Sequence, residues 1–180
     1  MDFVGVEKLS LVDYDHHMSA VLFSPGCNFA CPFCHNSALV IAPEFNNPIP
    51  FEEILSFLKK RQGLLDYIAM DVKASFDTYP SITNSRVNID KIKESIEYIK
   101  SCGVDYEFRT TLVREYHDIE DIKKMSEDIG PAKRMRLQLF VDNDNCIKTG
   151  LHEVPLEEAE EYIKILKSHI DDVALRGYII

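Results

Sequence analysis

One run of the chain, F-S-P-G-C-N-F-A-C-P-F-C-H-N from Phe23 to Asn36, limits what it can fold into more than any other stretch. Cys27, Cys31 and Cys34 stand in a C-x3-C-x2-C spacing, directly after an apolar run, Ala20-Val21-Leu22-Phe23, that reads as a strand. Three thiolates on one tight loop can hold three irons of a cubane cluster, since thiolates are the usual ligands of iron–sulfur clusters. The fourth iron is then left without a protein ligand, and an open coordination position is where a small molecule binds. Two other readings stand beside this one. A Cys3His zinc site could use His35 or a distant histidine, although neighbours such as Cys34 and His35 rarely both reach one metal. The cysteines could also be buried and structural. A single loop with this spacing after a strand fits the cluster reading best.

The rest of the chain sets the frame for that loop. A length of 180 residues suits one domain, 1–180, with a sizeable core. The formal net charge of −10 argues against nucleic acid or an anionic membrane as partner. No apolar run approaches the roughly 20 residues of a membrane span, and Met1-Asp2-Phe3-Val4 lacks the basic start of a signal peptide. Three of five cysteines fall within eight residues, which suits a reducing cytoplasm better than a disulfide framework. Cys102 and Cys146 stand alone in the sequence and read as partly buried and structural.

Taken in order, residues 4–13 read as an edge strand or hairpin arm, 13–17 as a turn carrying His16 and His17, and 18–24 as the first strand. The cysteine loop, 24–36, follows the carboxyl end of that strand, where parallel α/β sheets place their ligand sites. Residues 37–50 read as a loop broken by Pro43, Pro48 and Pro50. A helix over 51–62 buries Phe51, Ile54, Leu55 and Leu58, and Gly63 ends it. Residues 67–73 form a strand that ends in charge. Asp71 and Lys73, two apart, point the same way from it and read either as a solvated strand end or as a pair touching a ligand. Residues 74–88 read as a polar loop, and 89–101 as a helix with an Ile92, Ile96, Ile99 stripe stopped by Gly103. Arg109 falls inside a strand over 106–113, where a guanidinium needs an acidic partner or a ligand. A core salt bridge and a ligand carboxylate answer that need equally. A helix over 119–129, a strand over 134–141 with Gln138 facing the site, a loop over 142–155, a helix over 155–169 and a strand over 173–178 complete the pattern. The alternation predicts an α/β fold with parallel strands.

The cysteine motif resembles that of the radical S-adenosylmethionine (SAM) enzymes, with Phe33 as the aromatic that family has before the third cysteine. The segments G-V-E-K-L-S-L-V-D-Y, C-P-F-C-H-N, D-Y-I-A-M-D-V-K-A, D-Y-E-F-R-T-T and L-R-G-Y resemble, in order, the activating proteins of anaerobic ribonucleoside-triphosphate reductases, which are glycyl-radical-enzyme activating proteins. The resemblance implies a [4Fe-4S] cluster held by Cys27, Cys31 and Cys34. SAM would lie against Phe33 and His35 and be contacted by Asp71, Lys73 and Arg109. It also implies a radical SAM oxidoreductase in the cytoplasm. A reduced cluster would cleave SAM, and the 5′-deoxyadenosyl radical would take a hydrogen from a glycine of an anaerobic ribonucleotide reductase. Flavodoxin or ferredoxin would be the electron donor. One family block is missing: the seven glycines include no adjacent pair, so the Gly-Gly-Glu-Pro loop that contacts SAM is absent. The chain resembles the family with an internal deletion joined near 63–67. The expected fold is therefore a shortened partial (β/α) barrel of about four parallel strands with helices on its outer face, in which strand 18–24 could pair with 67–73. Open sheet edges would invite self-association. The alternative function is a degenerate relative that binds an iron–sulfur cluster or zinc without cleaving SAM.

Overall fold

The structure is a computed structural model and describes residues 5–10, 17–23, 26–41 and 67–178. The chain divides into two compact units, Met1–Asn28 with Asn36–Leu64, and Phe29–His35 with Leu65–Ile180. In the first, β1 (Gly5–Ser10) pairs antiparallel with β2 (Ser19–Phe23) from Gly5 opposite Phe23 to Ser10 opposite Ser19, with a register irregularity between Glu7 and Ser10. A short helix, α1 (Ser37–Ile41), opens the stretch read as a loop. The helix expected over 51–62, the turn at 13–16 and the junction at 63–66 lie outside the described residues.

The second unit is a parallel α/β sheet. Its strands are β3 (Tyr67–Asp71), β4 (Asp105–Leu112), β5 (Ala132–Leu139) and β6 (Ile170–Arg176), in the order β3-β4-β5-β6 with every pairing parallel. The count of four parallel strands is as expected, but the membership differs. Strand 18–24 pairs with β1 in a separate two-stranded sheet, and β6 is the fourth parallel strand. The crossovers carry α2 (Tyr79–Ile82) and α3 (Ile89–Ser101), then α4 (Ile119–Ile129), then α5 (Leu156–Leu166). α3, α4 and α5 share one core with the same alternate strand residues, so the three helices cover one face of the sheet.

Local signals explain these boundaries. The Asn88 side chain accepts from Lys91 N–H at the start of α3, and the Asp118 carboxylate accepts from Asp121 N–H at 2.8 Å at the start of α4. Gly130 ends α4 with a positive φ of 62°, a conformation that costs glycine nothing. The helical stripes close on the alternate residues of the strands. Ile96, Ile99, Ile122, Met125, Ile129, Tyr162 and Leu166 form one core with Phe108, Met135, Leu137 and Val173. Burying a side chain of this size stabilises by about 1.5–3 kcal/mol. The stretch 74–88 is more ordered than a polar loop. Ala74 and Ser75 are fully buried, and the Asp121 carboxylate accepts from the Ser75 backbone N–H (3.3 Å), the Ser75 hydroxyl (2.7 Å) and the Thr78 hydroxyl. That carboxylate turns a sequence of loop residues into a fixed lead-in to α2.

Candidate functional site

Residues Phe29–His35 sit on the carboxyl-end loops of the parallel strands, within the second unit. Backbone bonds fix this segment at two points: Ala30 N–H donates to the Thr83 carbonyl (2.9 Å), and Lys148 N–H donates to the Pro32 carbonyl (2.8 Å). Cys34 N–H donates to the Cys31 carbonyl (3.0 Å), which closes a turn carrying both thiols. Phe33, 5% exposed, anchors the turn with its ring centroid 5.9 Å from Tyr116, 6.4 Å from His117 and 6.5 Å from Phe140. His35 is exposed, stacks on Phe140 at 5.7 Å and donates from Nε2 to the Val141 carbonyl (2.9 Å).

Beneath this segment His117 joins two strand ends. Val113 N–H donates to its Nδ1 (3.0 Å), and its Nε2 lies 2.9 Å from the Lys73 carbonyl, a pattern that assigns the ring proton to Nε2. Cys31 is buried and Cys34 half-buried in an apolar cluster that also holds Val113, Phe140, Leu151 and Cys146. Cys146, isolated in the sequence, thus belongs to the same packed region as two motif cysteines. Cys27 is exposed and belongs to the first unit. Among the described residues no three His, Cys, Asp or Glu side chains are gathered to hold a metal ion. The donor set itself, thiols on an anchored loop, fits iron–sulfur ligation.

The second group of expected residues lies on the sheet face opposite the helices. Asp71 and Lys73 do point the same way, and the Lys73 ammonium lies 2.5 Å from the Asp71 carboxylate. Arg109 stands opposite Asp71 in register, and its Nε lies 2.5 Å from the Glu107 carboxylate. The structure therefore supplies Arg109 with the acidic partner that its strand position required. Glu107 also accepts from the Tyr67 hydroxyl at 2.8 Å; burial first, and this carboxylate second, push the Tyr67 phenol well above its ordinary value. Glu107, Arg136, Arg176 and His117 were not singled out from sequence. The signal for Glu107 was present: it precedes Arg109 by two residues, so both side chains leave the same face of one strand.

No family model matches the chain. The chain is similar to the "Putative glycyl-radical enzyme activating enzyme" of Methanocaldococcus jannaschii, at 28% identity over 228 residues, covering 96% of this chain and 94% of that protein. A domain of pyruvate-formate lyase-activating enzyme from Bacteroides vulgatus matches 62% of this chain and 68% of its own, with a TM-score of 0.45 and 14% identity, a score below that of a secure common fold. Among the described residues no helix is long and apolar enough to cross a membrane.

Proposed function

We propose that this chain is a radical SAM activating enzyme for a glycyl-radical enzyme, with an anaerobic ribonucleotide reductase as its protein substrate and flavodoxin or ferredoxin as its electron donor. The observation that carries the reading is the similarity to the Methanocaldococcus protein along nearly the whole of both chains, together with the C-x3-C-x2-C loop. The match runs over 228 residues against a chain of 180, so at least 48 positions fall opposite gaps. An internal deletion joined near 63–67 belongs to the same reading.

In this reading Cys27, Cys31 and Cys34 hold the [4Fe-4S] cluster. When bound, the cluster supplies the electron that cleaves the sulfur–carbon bond of SAM. Phe33 acts from beneath as the anchor of the loop, while the exposed ring of His35 offers a face to the adenine. The Asp71–Lys73 pair and Arg109 bind the polar end of SAM. The buried Phe33 and Phe140, with the half-buried Tyr116 against them, keep water from that side of the loop. A reducing cytoplasm belongs to the same reading.

A second reading is a degenerate relative that binds an iron–sulfur cluster or zinc and leaves SAM intact, and the absence of any Gly-Gly pair favours it. One experiment separates the two. Protein reconstituted anaerobically and reduced is given SAM, and 5′-deoxyadenosine is measured beside iron and sulfide. About four irons per chain with product is the expected result; Cys34→Ser should lose both. A full cluster without product would favour the second reading, and zinc in a colourless protein without product would overturn the first and favour the zinc-binding form of the second.

A further inference from the structure

His117 has no part in the reading above, yet it touches two groups of residues on which that reading depends. The ladder between β3 and β4 ends at Asp71 opposite Arg109. Past that point Val72 N–H still donates to the Arg109 carbonyl (2.8 Å), and side chains then take over. The Thr110 hydroxyl donates to the Val72 carbonyl (2.6 Å), and His117 Nε2 donates to the Lys73 carbonyl (2.9 Å). A backbone hydrogen bond also joins Lys73 to the Tyr79 phenol. The strand end that presents Asp71 and Lys73 is therefore placed by buried side chains as well as by the ladder.

The His117 ring is itself fixed. It is 1% exposed, and its Nδ1 accepts from Val113 N–H (3.0 Å). Its backbone N–H donates to the Val113 carbonyl (3.0 Å), and its carbonyl accepts from the Tyr162 hydroxyl (2.9 Å). It directly precedes Asp118, the cap of α4. Its ring also meets Phe33, with centroids 6.4 Å apart and planes at 61°. Phe33 lies inside the turn that Cys34 N–H closes onto the Cys31 carbonyl. A neutral imidazole has one donor and one acceptor, and here both are committed to backbone. Such a ring cannot turn without leaving a buried polar group unpaired, so displacement at Lys73 is passed to Phe33, and the reverse.

We propose that His117 is a positioning residue, whose ring holds the Lys73 strand end and the Cys31–Cys34 turn as one rigid unit. It touches no reacting atom and acts through Lys73 and Phe33. Its consequence for SAM rests on the activating reading, since that reading puts the cluster on the turn and the polar end of SAM on Asp71 and Lys73.

The first arm of the test uses the metal-free, full-length chain. Hydrogen exchange at the amides of residues 72–74 and alkylation of Cys31 and Cys34 by iodoacetamide are both followed by mass spectrometry. His117→Ala should speed both by several-fold. Tyr162→Phe drops the bond to the His117 carbonyl but leaves the ring's contacts, and it serves as the control for general destabilisation, with urea midpoints measured for both variants. Faster reaction at one end alone, or the same acceleration in Tyr162→Phe, would overturn the coupling. The second arm uses the reconstituted, reduced protein. His117→Phe keeps a ring against Phe33 and loses both ring hydrogen bonds. It should raise KM for SAM by about tenfold, the loss of one hydrogen bond, with kcat changed less. His117→Gln can still donate to the Lys73 carbonyl and should recover most of that loss. An unchanged KM in folded, cluster-loaded His117→Phe would overturn the positioning role. If the parent makes no 5′-deoxyadenosine, the activating reading falls, while the metal-free arm still decides whether His117 couples the two ends.

Discussion

The two faces of the four-stranded sheet are cut from the same strands by simple alternation, yet they solve opposite problems. On one, Phe108, Met135, Leu137 and Val173 lie against three helices, and water is excluded by apolar packing. On the other, Tyr67, Glu107, Arg109, Arg136 and Arg176 are held by hydrogen bonds and ion pairs. Packing of the first kind is non-directional and tolerates small shifts; a buried carboxylate among guanidiniums tolerates few, because each charge loses its water on folding. The difference teaches where apolar packing and where directed polar contacts reside. The helical face holds the strands in place, and the polar face uses that rigidity to keep its charges oriented.

The largest effect is expected on the helical face. Phe108→Ala leaves a cavity at a fully buried position in the middle of β4 and should cost about 3–5 kcal/mol, read as a lower urea midpoint. A cost below about 1 kcal/mol would mean that this face is not the source of stability. Next comes Glu107→Gln, which strips the shared carboxylate from three guanidiniums and should cost about 3 kcal/mol. Adding Arg109→Met should restore part of that loss, because it removes a charge left without its acid. A double-mutant cycle that came out additive would deny the coupling. A smaller effect separates the helices from the sheet: Asp118→Ala removes the cap of α4 and should cost about 1 kcal/mol in the same denaturation measurement.

The helical face was the more legible in sequence. The Ile92, Ile96, Ile99 stripe and the stop at Gly103 mark α3 at the bounds observed, because helical periodicity and glycine stops are local signals. The partner of strand 18–24 was legible only in part: the hairpin-arm reading of 4–13 matches the antiparallel pairing with β1, whereas the expected pairing with 67–73 gave way to it. Its pairing with β1 is a choice between two backbones, and no single residue records it. On the polar face the i, i+2 spacing gave the common direction of Asp71 and Lys73. It did not give Arg136 and Arg176 as neighbours of Glu107, since that convergence requires the order and register of three strands. Cys146 was read as isolated for the same reason, because only the turn of the 142–155 loop onto Pro32 brings it beside Cys31 and Cys34.

The smallest effect is the one that distinguishes the faces by chemistry rather than size. At the start of β4, the Arg134 guanidinium hydrogen-bonded to Asp105 at 2.6 Å holds that carboxyl below its ordinary 3.8. A carboxylate depressed in the folded state contributes its stability in full above its unfolded pKa, and loses it as pH falls through the lower folded value. Arg134→Ala should therefore be slightly less stable than the parent at pH 7, and the gap should close as the solution is taken below about pH 4. The pair is partly exposed, so the gap is small at any pH. Phe108→Ala should keep its deficit across the same range, because no proton is involved in filling a cavity. Urea denaturation of the three proteins at neutral and acid pH makes the comparison. A gap for Arg134→Ala that persisted in acid would place the effect in packing of the arginine stem, and the contrast between a charged and an apolar face would lose its clearest sign.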